Sequence, residues 1–316
     1  MTKEKRMKND IQGENLPLRV EMTSTAFLKD DWKEKLFSCR EYCEEIGWDF
    51  GVQLHNTAPA EQINSLAAQG VSLSAHAPLN QNRNWNLATE NVSAVEKAME
   101  ENICFMESLG IFSSVFHGAV MCDVSPEAFG HGKGYYDCMK EVYRPELAFK
   151  EGSYFNRDFT KEKEFSFRYE ILRKNLASFR EKHPDFLLCL ENDFPACGSM
   201  NMFPSDMVRL GHPICLDMGH LWISAHLADR DFHEEIRIAM DSGLVKMCHF
   251  HASVWDDSVP KEKWSDGHMP LTVRNPSENL ALSAKIMYEG GLRYFVLEVT
   301  HGSANDIRIL HDYITG

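Results

Sequence analysis

The chain has 316 residues, 43% hydrophobic and 25% charged, the proportions of a globular protein rather than a disordered or fibrous one, and room for two ordinary domains or one α/β barrel. Lys plus Arg number 33 against 47 Asp plus Glu, a formal net charge of −14, which argues against a general polyanion partner, nucleic acid included, because phosphate contacts come mainly from cations. The nine cysteines are irregularly spaced with no CxxC pair, no apolar h-region follows the charged start, and no apolar run is long enough to span a membrane, so a cytoplasmic, reducing setting without disulfides is expected.

Residues 1–16 read as an N-terminal extension and 17–316 as one domain. Strand one is expected over Leu18–Thr23, followed by a helix on which Cys39 and Cys43 share a buried face. Strands two and three are expected over Phe50–His55 and Val71–His76. Thr89 is placed to cap a helix whose Val92, Val95, Met99, Met106 and Leu109 share one face before Gly110. Strand four, Ser113–His117, is followed by an unusually long connection, 118–164. Its Gly- and aromatic-rich phrases, GHGKGYYD and GSYFNRDF, predict an ordered lid.

Phe165, Tyr169, Leu172, Leu176 and Phe179 then form a helical stripe, stopped at His183-Pro184. Strands five to eight are expected over Phe186–Glu191, Pro213–Asp217, Val245–His249 and Tyr294–Glu298. A helix beginning near Pro276 runs to Gly290-Gly291, and Ser303 precedes a last stripe of Ile307, Leu310 and Ile314. Eight βα units predict a single (β/α)₈ TIM barrel with a lid after strand four; a doubly wound sheet is the alternative.

The strand ends carry the chemistry. Strands three to eight close on His76, His117, Glu191, Asp217, His249 and Glu298. Alternation along a strand sends the residue two earlier to the same side, and Ser74, Val115, Cys189, Cys215, Met247 and Val296 are all small or apolar. That predicts a packed layer beneath a polar rim. His220, three residues past Asp217, and the Asp266-Gly-His268 pair extend the set. So many imidazoles and carboxylates together call for a counter-charge. Divalent cations would supply it, and the nitrogen and oxygen donors suit Zn²⁺, Mn²⁺ or Fe²⁺ better than Ca²⁺.

The phrases SAHAPL, VFHGA, CLEND, CLDMGH, CHFH, DGHMPL and VLEVT resemble the xylose isomerase-like TIM barrels, also called AP endonuclease family 2, from about Val52 to Glu298. The metal pattern is most similar to that of endonuclease IV. The resemblance implies one ion on His76, His117 and Glu191, and a second on Asp217, His249 and Glu298, with Glu191 bridging the two. A third ion would lie on His220, Asp266 and His268. The implied chemistry is metal-assisted hydrolysis of a phosphoester.

The alternative within the same superfamily is a sugar isomerase or epimerase with one ion on Glu191, Asp217, His249 and Glu298. Glu191 and Glu298 would then be the acid/base pair and His220 a substrate contact. A non-catalytic sugar-binding barrel is a further alternative. The sequence departs from endonuclease IV where His251 and Ala252 replace an Asn-Asp pair. The expected partner is a small sugar or phosphorylated molecule. Candidate contacts are Arg83, Trp85, Lys133, Arg144, Arg157, Trp222 and His251.

Overall fold

All eight expected strands form, each within a residue of its expected bounds: β1 (Arg19–Thr23), β2 (Asp49–Leu54), β3 (Ser72–Ala77), β4 (Ser113–Phe116), β5 (Leu187–Glu191), β6 (Ile214–Asp217), β7 (Val245–His249) and β8 (Tyr294–Leu297). The computed structural model describes residues 17–129 and 131–316, so the expected extension over 1–16 lies outside the described residues. Every strand pairs in parallel with the next, and β8 closes on β1 to complete a (β/α)₈ barrel.

The helices surround it: α1 (Trp32–Ile46), α2 (Ala60–Ala67), α3 (Ser93–Ser108), α4 (Tyr135–Met139), α5 (Lys163–Lys182), α6 (Pro204–Met207), α7 (Met218–Ala228), α8 (Phe232–Asp241), α9 (Leu280–Glu289) and α10 (Ala304–Thr315). The expected stripes are the buried faces. Leu36, Cys39 and Cys43 are buried on α1, and Phe165 to Phe179 on α5. At α10, Ser303 and Asp306 make a reciprocal capping box, which satisfies amide groups that a helix start leaves unpaired. Thr89 does not cap α3, which begins four residues later at Ser93. Thr89 is instead buried, its carbonyl accepting from Asn175 Nδ2 at 3.3 Å. None of the described helices is long and apolar enough to cross a membrane.

Inside the barrel, Val115, Cys189, Cys215, Met247, Val296 and Tyr294 form one apolar cluster of their own. Ser74, fully buried, completes the expected layer and donates its hydroxyl to Glu21. Each fully buried apolar side chain of this kind contributes about 1.5–3 kcal/mol, so the rim of His, Asp and Glu residues above rests on a packed apolar layer.

The 118–164 segment is folded onto the rim rather than looped into solvent. Val120 bridges to Ser199 and Phe155 to Ala196, beyond β5, while Glu127 bridges to Arg83, beyond β3. Met121, Met139, Val142, Leu147, Phe155 and Phe159 are buried with the main core.

Candidate metal centre

The strand ends deliver their side chains to one place. Glu191 is fully buried at the end of β5, and its two oxygens face different partners. Oε2 lies 3.2 Å from His76 Nε2 and 3.6 Å from His117 Nε2, and Oε1 lies 2.6 Å from His249 Nδ1. His249 Nδ1 also stands 2.9 Å from Glu298 Oε2 and 3.6 Å from Asp217 Oδ2. Two donor groups result, His76/His117/Glu191 and Glu191/Asp217/His249/Glu298, each with its ligand atoms within 4.8 Å of one another. Glu191 belongs to both.

The third group is built by a helix start. Asp217 caps α7, its Oδ1 accepting from His220 N at 2.6 Å, which leaves Oδ2 to the centre. Capping fixes the first turn, so His220 Nε2 reaches 3.1 Å from Asp266 Oδ2, with His268 Nε2 2.6 Å from the same oxygen. Gly219 is required between them, because a Cβ there would lie 2.3 Å from His251 Cε1 and 2.9 Å from Asp266 Oδ1.

Burial and close opposite charges shift the carboxyls and imidazoles of the centre strongly. Burial pushes the Glu191 carboxyl up, but the facing His249 and His117 imidazoles overcome it and hold it below the ordinary carboxylate range. Asp217 and Asp266 are held down in the same way by His220 with His251, and by His268 with His220. Conversely, burial opposes charge on the imidazoles, yet Asp193 and Glu191 raise His117 to about 9, and Asp266 and Glu298 raise His268 to about 10. Glu191 Oε2, Asp217 Oδ2 and Asp266 Oδ1 are buried and accept no hydrogen bond. Such oxygens are costly unless a cation or donor meets them. Imidazole and carboxylate donors clustered around unpartnered oxygens fit divalent cations.

Three neighbours of the centre carry no periodic signal in the sequence. Asn192 and Asp193 directly follow Glu191. Asp193 Oδ1 stands 3.2 Å from His117 Nδ1, and the Asn192 carbonyl lies 2.9 Å from His220 Nδ1, fixing which nitrogen each imidazole turns to the cavity. The Asn192 side chain also locks β5 to β6, accepting from Asp217 N at 2.7 Å and donating to its carbonyl at 2.9 Å. The third, Asn201, donates to the Glu191 carbonyl. The only cue was the phrase Glu191-Asn192-Asp193 itself, polar immediately after a strand-end ligand.

The proposed substrate contacts fall into two sets. Trp85 is buried and lines a small recess together with His117, Asp193, Phe129, Tyr135 and Met139. His251 is fully buried, and its ring nitrogen lies within 4.8 Å of ligand atoms of Asp266 and His268. Trp222 packs instead on His226 and Phe232, its Nε1 donating to the Trp255 carbonyl at 2.9 Å. The four basic candidates are engaged by carboxylates of their own region. Arg83 pairs with Glu141 at 2.6 Å, and Arg144 with Glu146 and Glu164 at 2.7 Å each. Lys133 pairs with Glu127 and Arg157 with Glu162.

No protein-family model matches the sequence, and no curated protein matches it significantly. Solved structures do match in shape. A D-tagatose 3-epimerase-like protein superposes with a TM-score of 0.54 at 14% identity, over 93% of this chain and 96% of that one. An AP endonuclease, family 2, from Brucella melitensis superposes with a TM-score of 0.50 at 12% identity, over 94% and 99%. Both likenesses extend over nearly the whole of each chain. With the closed eight-stranded parallel barrel, they show that this chain has a (β/α)₈ barrel fold like that of these two proteins.

Proposed function

We propose that the chain is a metal-dependent enzyme that hydrolyses a small phosphoester at a centre of two or three divalent cations, with Zn²⁺ favoured by the donors and Mn²⁺ or Fe²⁺ next. The observation that carries this reading is the two-sided environment of Glu191, with His76 and His117 against one oxygen and His249 against the other. One carboxylate so placed serves two cations. A single-ion isomerase leaves His76, His117, Asp266 and His268 without employment.

Cations held there would neutralise charge that develops on phosphoester oxygens. The chain's own residues bind, aim and exclude. Asp193 and Asn192 orient the His117 and His220 imidazoles. Trp85, Phe129 and Tyr135 wall the recess beside His117 and limit its water. The 118–164 segment, carrying two of those walls, acts as the lid. Its internal ion pairs and the chain's net charge of −14 leave little cationic surface for a nucleic-acid duplex, so a small phosphorylated or sugar substrate is favoured. Nine free cysteines support a reducing, cytoplasmic setting.

A sugar isomerase or epimerase is the second reading. It is favoured by the Glu191/Asp217/His249/Glu298 group, whose four ligand atoms lie within 4.8 Å of one another, and by the likeness to a D-tagatose 3-epimerase-like protein. Glu191 and Glu298 would then exchange the substrate proton, with His220 against the substrate.

The two readings separate on one substitution. Zinc-loaded protein is offered small phosphomonoesters, phosphodiesters and ketoses. Phosphoester cleavage, lowered roughly 100-fold or more by both Glu191→Gln and His76→Ala, is expected. Ketose interconversion that survives His76→Ala would replace hydrolysis with the second reading.

A further inference from the structure

His251 lies two residues beyond His249, just past the end of β7, and its side chain is turned toward the same centre. It is fully buried, and neither of its ring nitrogens makes a hydrogen bond. Nε2 stands 3.6 Å from Asp266 Oδ1 and 3.5 Å from Asp217 Oδ2. Its ring meets that of His268 edge-on, centroids 4.8 Å apart and planes at 84°. Two features hold it there. Ala252 and Met269 exchange backbone hydrogen bonds at 3.0 and 3.1 Å, tying the His251 segment to the His268 loop. Gly219 removes the Cβ that would otherwise collide with the imidazole.

For His251 these separations suit a shared ligand sphere better than a hydrogen bond. A nitrogen 3.5–3.6 Å from carboxylate oxygens is beyond good hydrogen-bond length. Four ligands around Zn²⁺ at about 2.0–2.1 Å stand about 3.3 Å from one another by tetrahedral geometry. His251 Nε2 is therefore at ligand-to-ligand distance from Asp266 Oδ1, whose other oxygen faces His220 and His268. His268 reaches the same point from a backbone at φ +40°, a conformation that non-glycine residues hold only where their surroundings enforce it.

We propose that His251 is a fourth protein ligand of the third cation position, beside His220, Asp266 and His268. The inference rests on the multinuclear reading of the centre and goes beyond it. Three imidazoles and a carboxylate close a four-coordinate sphere, and a closed sphere holds an ion structurally with no position open to substrate. The third cation then braces α7 against the Asp266–His268 loop. Substrate is met at the two positions that share Glu191.

The test is metal retention. Zinc-loaded full-length protein is dialysed against a graded series of EDTA and its metal content measured, alongside His251→Ala, His251→Asp and His268→Ala. In the wild type, one ion per chain should survive chelator that strips the others. His251→Ala and His268→Ala should both lose that ion at roughly tenfold or lower chelator, while His251→Asp, which restores a ligand, retains more of it than His251→Ala. With Co²⁺ in place of Zn²⁺, the intense visible bands of a four-coordinate ion should weaken in His251→Ala. Circular dichroism checks that each variant is folded, and His251→Asn replaces the alanine variant if that one is not. Retention by His251→Ala with loss by His268→Ala would overturn the fourth ligand and leave the multinuclear centre standing. A wild type that binds one ion, unaffected by either variant, would overturn both.

Discussion

Asp193 Oδ1 lies 3.2 Å from His117 Nδ1, with Glu191 Oε2 3.6 Å from the same ring's Nε2. The imidazole is thus held between two carboxylates, one outside the donor group and one inside it. An orienting carboxylate behind a metal-binding histidine typically contributes 10–100-fold in affinity, roughly. Asp193→Ala is therefore expected to weaken binding at the His76/His117/Glu191 position by about that factor, leaving the other positions unchanged. Competition titration with a chromophoric chelator measures it. Unchanged affinity would remove Asp193 from the centre's support.

Gly219 gives a prediction in which two effects compete. Alanine in a helix is ordinarily better than glycine by about 1 kcal/mol. At this position the added Cβ would lie 2.3 Å from His251 and 2.9 Å from Asp266, and overpacking costs about 1–3 kcal/mol or more. The collision outweighs the propensity. Gly219→Ala should lower the urea midpoint and reduce metal content, and a variant that gains stability would contradict the packing described.

Metal binding should release protons. Burial works to lower His117 and His268, but their carboxylate neighbours raise them to about 9 and about 10. Both values lie above the ordinary histidine value near 6.5, so below about pH 9 a cation must displace a proton from each ring. Affinity is expected to rise with pH through the neutral range, roughly tenfold per unit for each proton displaced. Calorimetry in buffers of different ionisation enthalpy counts the protons; a count of zero is incompatible with these ligands.

How the centre could be read from sequence follows from how each residue is placed. Glu191, Asp217 and His249 end strands and His76 stands one residue before the end of β3, and a two-residue period with a fixed end announces itself in a one-dimensional pattern. Asp193 and Asn192 follow a strand end in irregular backbone, where no period says which way a side chain turns. Arg83, Lys133, Arg144 and Arg157 looked available because pairing is set by three-dimensional reach. Glu141 is 58 residues from Arg83 in sequence yet 2.6 Å from it in space. Thr89 failed as a cap because its neighbourhood packs under Asn175 of α5, a long-range contact that local propensity cannot anticipate. His251 stood out as a departure from the endonuclease pattern, but its place against Asp217 and Asp266 needed the α7 start and the Asp266–His268 loop together.

Away from the centre, His212 reports on acid stability. It is buried just before β6, beside Phe116, and burial pushes its imidazole down to about 3. The folded value is depressed, so its contribution is complete above the unfolded value near 6.5 and is lost as pH falls toward 3. By pH 5 one such group removes about 2 kcal/mol. His212→Phe should flatten the loss of urea stability between pH 7 and 5 relative to wild type. Equal slopes in the two proteins would show that His212 titrates normally.

The Asp217 carboxylate serves two neighbourhoods at once. One oxygen starts α7 through His220 N and the other faces the cavity, so a single side chain couples the centre to the order of a helix end. Whatever tightens or releases Oδ2 pulls on the turn that Oδ1 secures. Amide exchange at His220 should therefore slow when cations are added and quicken when they are removed, making one backbone proton a gauge of occupancy that needs no substrate.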